Sequence, residues 1–478
     1  MTMPKAPDIP QERLARNPLI TDHGYARLRA ILDHPAAPVW NYEVGDRVRN
    51  EDLGEVTTLA ALLRQKRDLR QNRPSGHILT WIKAMRPVVQ LFQAALPEGF
   101  CLERDWRYIP TMGREDVALR LEEIVPLDAD LSRLIVYDTS GVTGHAILVP
   151  QHPRAMAQYH ALLEYILEQY GIRFSFSADI TACLNVGCQV STVTFANTFS
   201  VWNQAGFAKV NLHERVWDRE KAQLFFDDTA PLFLTGDPLG FSQMEAWGID
   251  ARPAAMISTA VALTSELKAA LQARYDCPVI DLYSTTETGP IAFTDPTGDG
   301  MRIFPPDLYV EVVDDQGKPL PEGEPGEICV TGGRNPFLPL LRYRTGDYGR
   351  IVWSGRELPC LLDLQAREPV SFLADDCAVI SMVDVARIIR EWPLVQHEFV
   401  QHPDLSCELT IQPLTGYPVD VECLKEKLGD LFGRSIQIMV KLDNRLGEDR
   451  PGGKVIPFSS RVAAAHPEPG RPQPRMPV

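Results

Sequence analysis

Between residues 133 and 332, short β-branched and aliphatic runs alternate with segments of helical period, and this alternation restricts the fold more than any other feature of the chain. "RLIVY", "HAILV", "PVIDLY", "DLYVEVVDD" and "GEICVTG" read as strands, several of them separated by helical patterns such as 264–274. In "HPRAMAQYHALLEYILEQYG", Met156, Tyr159, Leu162, Leu163, Ile166, Leu167 and Tyr170 recur at steps of three and four, which predicts a helix over 152–170 closed by Gly171. Strands and helices in this order bury their apolar faces by layering. The expected fold is α/β, with a large multi-sheet N-terminal domain (1–364) and its packed helices. Past 365 the pattern tightens to a helix at 383–392, a strand at "CELTIQP", a helix at 421–432 and a strand at "IQIMVKL". These predict a small C-terminal α+β domain (365–460). "RVAAAHPEPGRPQPRMPV" is too rich in proline and too poor in large apolar groups to order itself, so 461–478 reads as a disordered tail.

Composition removes several classes of function. The chain has 478 residues and is 45% hydrophobic, enough for a large divided core, yet it contains no run of eighteen apolar residues, so no membrane span is expected. The opening "MTMPKAPDIPQERLARNPL" has no apolar stretch of the secretory kind. Nine cysteines are scattered, with no CxxC and no histidine pairing at zinc spacing, which reads as reduced thiols in a cytoplasmic protein. A formal charge of −15 disfavours nucleic acid as a partner. Small-molecule chemistry remains.

"YDTSGVTGHAILVP" packs Thr139, Ser140, Gly141, Thr143 and Gly144 between two strand-like runs. Such a turn turns backbone N–H groups and hydroxyls toward one place, which suits phosphate oxygens, although an ordinary polar hairpin has the same composition. A Walker loop needs a lysine after its last glycine, and here His145 follows Gly144. "LYSTTETG" adds an aromatic face at Tyr283, hydroxyls at Thr285 and Thr286 and a carboxylate at Glu287. "YRTGDYGRI" sets Asp347 after a Thr-Gly turn, where a carboxylate can accept from both ribose hydroxyls. "RPGGKVIPF" mounts Lys454 beyond two glycines. Singly, Glu287 reads equally as a helix-cap acid, Asp347 as a turn former and Lys454 as a solvated charge.

Together and in this order the segments resemble the adenylate-forming superfamily of acyl-CoA synthetases, adenylation domains and luciferases, and most closely its phenylacetate-CoA ligase-like branch, over roughly residues 100–456. The resemblance implies a phosphate loop at Thr139, Ser140, Gly141, Thr143 and Gly144, with Val142 where a threonine is usual. It implies an adenine-stacking role for Tyr283 beside Thr286, a magnesium-binding role for Glu287, and a ribose contact for Asp347. Arg367 would be the arginine at the domain junction and Lys454 the adenylation lysine, delivered from the far domain. The implied cofactors are ATP and Mg2+, with coenzyme A as a further co-substrate. The implied reaction activates a small carboxylic acid as its acyl-AMP, releases pyrophosphate and passes the acyl group to an acceptor. "FANTFSVWNQAGFAKVNLH" is the expected lining of the acyl pocket through Phe199, Trp202 and Phe207, which favours an aromatic acid, though the same rings suit a core.

One segment departs from the family pattern. Pro369 stands where a hinge acid is expected, and Asp375, Asp376 and Cys377 where a glycine loop lines the path of pantetheine. This leaves open an amine or other small nucleophile as the acceptor in place of coenzyme A. A non-catalytic nucleotide-binding relative and a phosphotransferase are the two further alternatives; the second lacks a kinase-type general base.

Overall fold

The computed structural model describes residues 9–65, 74–138, 147–261, 263–298, 300–305, 307–353, 358–366, 370–448, 450 and 455–462. The 461–478 tail therefore falls almost wholly outside the described residues. So do the 139–144 loop, Arg367, Pro369 and Lys454.

The strands flanking the loop are in place: β1 (Ile135–Asp138) and β2 (Leu148–Gln151) pair antiparallel, with Asp138 opposite Leu148. The chain then enters the helix Pro153–Gln169, where His152 accepts from the Arg154 N–H, Pro153 occupies the first turn, and Gly171 leaves with φ +76°. A half of parallel character follows, made of β3 (Thr181–Gly187), β4 (Phe195–Phe199), β5 (Ala205–Asn211), β6 (Phe233–Gly236), β7 (Met256–Ser258) and β8 (Val279–Thr285). β4 alone in this half runs antiparallel, along the outer edge of β5. An antiparallel half continues it through β9 (Gly289–Thr294), β10 (Met301–Ile303), β11 (Leu308–Val313), β12 (Gly326–Gly332), β13 (Leu340–Val352) and β14 (Cys360–Ala366). Among the described residues these make one 12-stranded sheet in the order β11-β12-β13-β14-β10-β9-β8-β7-β6-β3-β5-β4. β8 joins the halves, parallel to β7 and antiparallel to β9.

Alternation along the strands sends side chains to two cores. Leu184, Ala208, Leu234 and Met256 meet Phe225, Phe241 and Leu271 from the helices on one face. On the other face Cys183, Phe233, Ile257 and Ile280 meet Leu162, Leu163 and Ile166 of the helix Pro153–Gln169.

The large sheet runs through Ala366, and the next strand opens the smaller unit. There β15 (Ser371–Leu373) pairs with β16 (Val379–Ser381). β17 (Leu394–Gln401), β18 (Cys407–Pro413), β19 (Ile438–Leu442) and β20 (Phe458–Ser460) form a 4-stranded sheet in the order β19-β18-β17-β20. The helices Met382–Arg390 and Val421–Phe432 pack on it around Phe372, Phe399 and Phe432. This unit rests on the large one. Val395 and Leu414 belong to the large unit's core, and the Thr264 hydroxyl donates to the Leu394 carbonyl at 2.8 Å. Among the described residues no helix is long and apolar enough to cross a membrane, and all nine cysteines are free.

A buried ion pair ties the short helical segments before β1 to the antiparallel half. Arg342, 1% exposed, donates Nε to Glu311 Oε1 at 2.8 Å and Nη2 to the Gly317 carbonyl at 2.7 Å. Trp106 Nε1 donates to the same carboxylate at 3.2 Å. Burial pushes the Glu311 carboxyl upward, and Arg342 and Trp106 oppose that shift. Glu311→Ala leaves the guanidinium buried without its anion, so it is expected to cost the large unit about 3–5 kcal/mol, read as a lowered chemical-denaturation midpoint. The double change Glu311→Gln/Arg342→Met is expected to cost less than Glu311→Ala alone.

Candidate functional site

Every described polar residue that the resemblance assigns to nucleotide or metal lies at the end of β8 or in the middle of β13. These strands are separated by β9, β10 and β14 in the sheet order. The antiparallel half curls enough for their side chains to meet: the Tyr283 hydroxyl, from β8, donates to Asp347 Oδ2 of β13 at 2.8 Å and lies 3.4 Å from Thr345 Oγ1. Burial and the facing carboxylate raise the Tyr283 phenol well above its ordinary pKa, so it remains a donor.

Asp347 does not follow a turn, as its motif suggests. Residues 345–347 lie within β13, where the pairing with β12 slips between Arg344 and Tyr348 and Gly346 takes φ +78°. A bulge of this kind needs glycine's left-handed freedom and re-aims the next side chain. It is pinned on both sides: the Thr345 hydroxyl donates to the Ile328 carbonyl at 3.0 Å, the Gly346 N–H donates to Glu327 Oε1 at 3.0 Å, and the Asp347 N–H donates to Thr345 Oγ1 at 3.1 Å.

Glu287 does not cap a helix. It sits in the turn 286–288 between β8 and β9, which is held by the Thr285 and Thr288 hydroxyls at 3.0 Å and closed by Gly289 at φ +70°. Gln151 Nε2 donates to the Thr286 carbonyl at 2.9 Å, which links the turn to β2 just after the 139–144 loop. Thr286 itself is exposed. The Glu287 carboxylate is 6% exposed, with Arg114 Nη1 at 3.7 Å and the Tyr343 phenol facing it. Burial and Glu287 hold the Tyr343 phenol protonated. Neither neighbour was visible in the sequence. Arg114 comes from a distant short helix, Arg114–Leu119, and Tyr343 lies in the Asp347 motif but shows no pattern that sets it beside Glu287.

Among the described residues no three His, Cys, Asp or Glu side chains gather as a metal site. One buried carboxylate nevertheless fits magnesium, which takes one or two protein carboxylates and completes its shell with substrate phosphates and water.

The three expected pocket aromatics are neighbours. Phe199 lies 5.0 Å from Phe207 and 5.7 Å from Trp202, both edge to face. Trp202 is fully buried behind them, against His160, Phe176 and Phe233, and its Nε1 donates to Glu164 at 2.9 Å. Burial lowers the His160 pKa to about 4, so this ring is neutral and serves the cluster as a further aromatic. Phe199 and Phe207 are half-buried.

In the smaller unit Asp375–Cys377 form the turn between β15 and β16. Cys377 takes φ +65°, the backbone region that usually favours glycine, and Asp375 accepts from the Ser435 hydroxyl at 2.8 Å.

Residues 139–335 match the family described as AMP-binding enzyme. The chain is 28% identical over 150 residues to phenylacetate-coenzyme A ligase of Aromatoleum evansii, covering 30% of this chain and 33% of that one. It is 28% identical over 188 residues to the phenylacetate-coenzyme A ligase of Escherichia coli K12, covering 38% and 42%. Each match therefore spans less than half of the relative's length. The fold is similar to that of a 2-hydroxyisobutyryl-CoA ligase solved in the postadenylation state with R3-HIB-AMP, at 13% identity and a TM-score of 0.59, over 83% of this chain and 94% of that one. The AMP-binding match takes in Tyr283 and Glu287 at the end of β8 and stops short of Asp347, and over this stretch the chain is similar to AMP-binding enzymes.

Proposed function

We propose that the protein is an AMP-forming ligase that activates a carboxylic acid with ATP and magnesium, then passes the acyl group to an acceptor. The observation that carries this reading is the meeting of Tyr283 with Asp347 at 2.8 Å, one turn of chain from the buried Glu287. A ring face, a ribose-type acceptor and a metal-type carboxylate then converge at the end of β8. ATP supplies the electrophilic α-phosphorus, and the acid's carboxylate displaces pyrophosphate from it. Asp347, re-aimed by its bulge, orients the ribose. Glu287 holds the magnesium that accompanies the phosphates, with Tyr343 and Arg114 fixing its carboxylate. The 139–144 loop cradles pyrophosphate, Arg367 stands at the junction of the two units, and Lys454 meets the charge that grows at the α-phosphorus. Phe199 and Phe207, backed by Trp202, favour an aromatic acyl group. The expected division into a large unit 1–364, a small one 365–460 and a tail 461–478 is kept with its first boundary moved to the end of β14 at Ala366, in a cytoplasmic enzyme.

By family likeness the acceptor is coenzyme A. A small amine or other nucleophile is the second reading, favoured by Cys377: a side chain occupies a left-handed position where the related pattern has glycine beside the thiol path.

Lys454→Ala and Glu287→Gln are each expected to lower acid-dependent pyrophosphate release on the order of a hundredfold or more, with unchanged circular dichroism. Excess magnesium is expected to recover part of the loss for Glu287→Gln only. Unimpaired release in Lys454→Ala would remove the lysine from the reaction.

Asp347→Ala is expected to raise KM for ATP about 10- to 100-fold, as for a lost hydrogen bond to a charged group. Tyr283→Phe keeps the ring face and loses one hydroxyl, so its KM is expected to rise less. Equal effects would mean that Asp347 serves the bulge and not the ribose.

Coenzyme A, added to the adenylating enzyme, distinguishes the two acceptor readings. Acyl-CoA formed at the rate of pyrophosphate release identifies the plain ligase. An acyl-AMP that persists with coenzyme A and disappears when an amine is added identifies the second reading.

A further inference from the structure

On the face of the sheet covered by the helix Pro153–Gln169, three adjacent strands are incompletely covered. Phe195 and Phe199 of β4, Phe207 and Lys209 of β5 and Asn185 of β3 are half-buried, while Ala196, Ala208, Val210 and Leu184 on the opposite face are enclosed. Strands roofed by helices are normally closed on both faces, so access confined to one face marks an opening between sheet and helix. It lies toward the carboxyl ends of the parallel strands, where open α/β sheets bind ligands.

The opening changes character along its length. Phe199 and Phe207 make its inner part apolar. Beyond them Phe195, Lys209, Asn185 and Thr235 stand in register across β4, β5, β3 and β6. Asn185 Nδ2 donates to Thr235 Oγ1 at 2.9 Å, and no bond to the Asn185 carbonyl oxygen occurs among the described residues. Among the same residues Lys209 makes no hydrogen bond or ion pair. Asp237 acts on it only at longer range, and burial weakens its hold on its proton. An ammonium held in such a place without an anion is costly unless a ligand supplies one.

We propose that the acid activated here carries, beside the carboxylate that reacts, a second anionic or phenolic oxygen, and that Lys209 and Asn185 bind it in this opening. The proposal rests on the adenylation reading for the reaction, and on the row itself for the substituent. Lys209 donates a charge-assisted hydrogen bond to that oxygen, and the Asn185 carbonyl accepts from it where it bears a proton.

The test uses benzoate and phenylacetate with the positional isomers of their hydroxy and carboxy derivatives, on the whole protein and on Lys209→Met. Pyrophosphate release and calorimetric binding are read separately. Wild type is expected to favour at least one substituted isomer over its parent by about 10- to 100-fold, in kcat/KM and in Kd, and Lys209→Met to lose most of that ratio. The melting temperature of Lys209→Met is expected to hold or rise, because the change removes a half-buried charge that no carboxylate bonds among the described residues. A wild type that prefers the parents, or a variant that keeps the ratio, overturns the proposal; so does a large fall in melting temperature, which would make Lys209 structural. If the Lys209-dependent preference appears in binding without pyrophosphate release, adenylation fails and the subsite stands. If the parents release pyrophosphate and the ratio is unmoved by Lys209→Met, adenylation stands and the subsite falls.

Discussion

The backbone ladder of β8 is the constraint on which the rest of the molecule depends. Its donors and acceptors are shared between a parallel neighbour, β7, and an antiparallel one, β9, so the strand has no free edge. A buried strand cannot leave these groups unpaired. Changing direction at this point joins two half-sheets with different habits, one layered between helices and one free to curl. The end of β8 becomes the place where the curl returns β13 to the parallel half. Tyr283 and Glu287 lie there, and the residues they meet, Asp347 and Tyr343, come from the returning strand.

The site is held by groups that take no part in the proposed chemistry. The bulge that aims Asp347 is clamped to β12 through Glu327 and Ile328, and the turn of Glu287 is tied to β2 through Gln151. Behind β13, the Arg342–Glu311 pair adjoins Tyr343 and fixes the segment before β1 to the same sheet. Such an arrangement keeps a carboxylate aimed before any ligand arrives, so less ordering remains to be done on binding. The contact between the two units has a different character. Val395 and Leu414 share an apolar core with the large unit, and one hydrogen bond joins Thr264 to Leu394.

Local pattern made much of this legible. The helix at 152–170, the strands around the hydroxyl loop and the helix–strand alternation past 382 follow from periodicity and capping, which depend on neighbours within a few residues. Tyr283, Glu287 and Asp347 stood out because each lies in a short motif. The nature of those motifs was less legible. The Thr-Gly step reads as a turn because glycine permits a left-handed φ in either setting, and only the pairing with β12 makes it a bulge.

The sequence by itself determined the α/β class, the order of the segments and the chemical kinds of side chain available to a site. Which of them meet was decided by the tertiary structure alone. Tyr283 and Asp347 are sixty-four residues apart, and Arg114 is much farther from Glu287, so no local period relates them. The lone lysine of β5 is likewise an ordinary polar residue in sequence. It becomes unusual only because register sets it beside Asn185, and because among the described residues no carboxylate bonds to it there, Asp237 acting only at longer range. Side-chain identity is written locally, whereas proximity follows from sheet order and curl, which are settled by pairing across the whole chain.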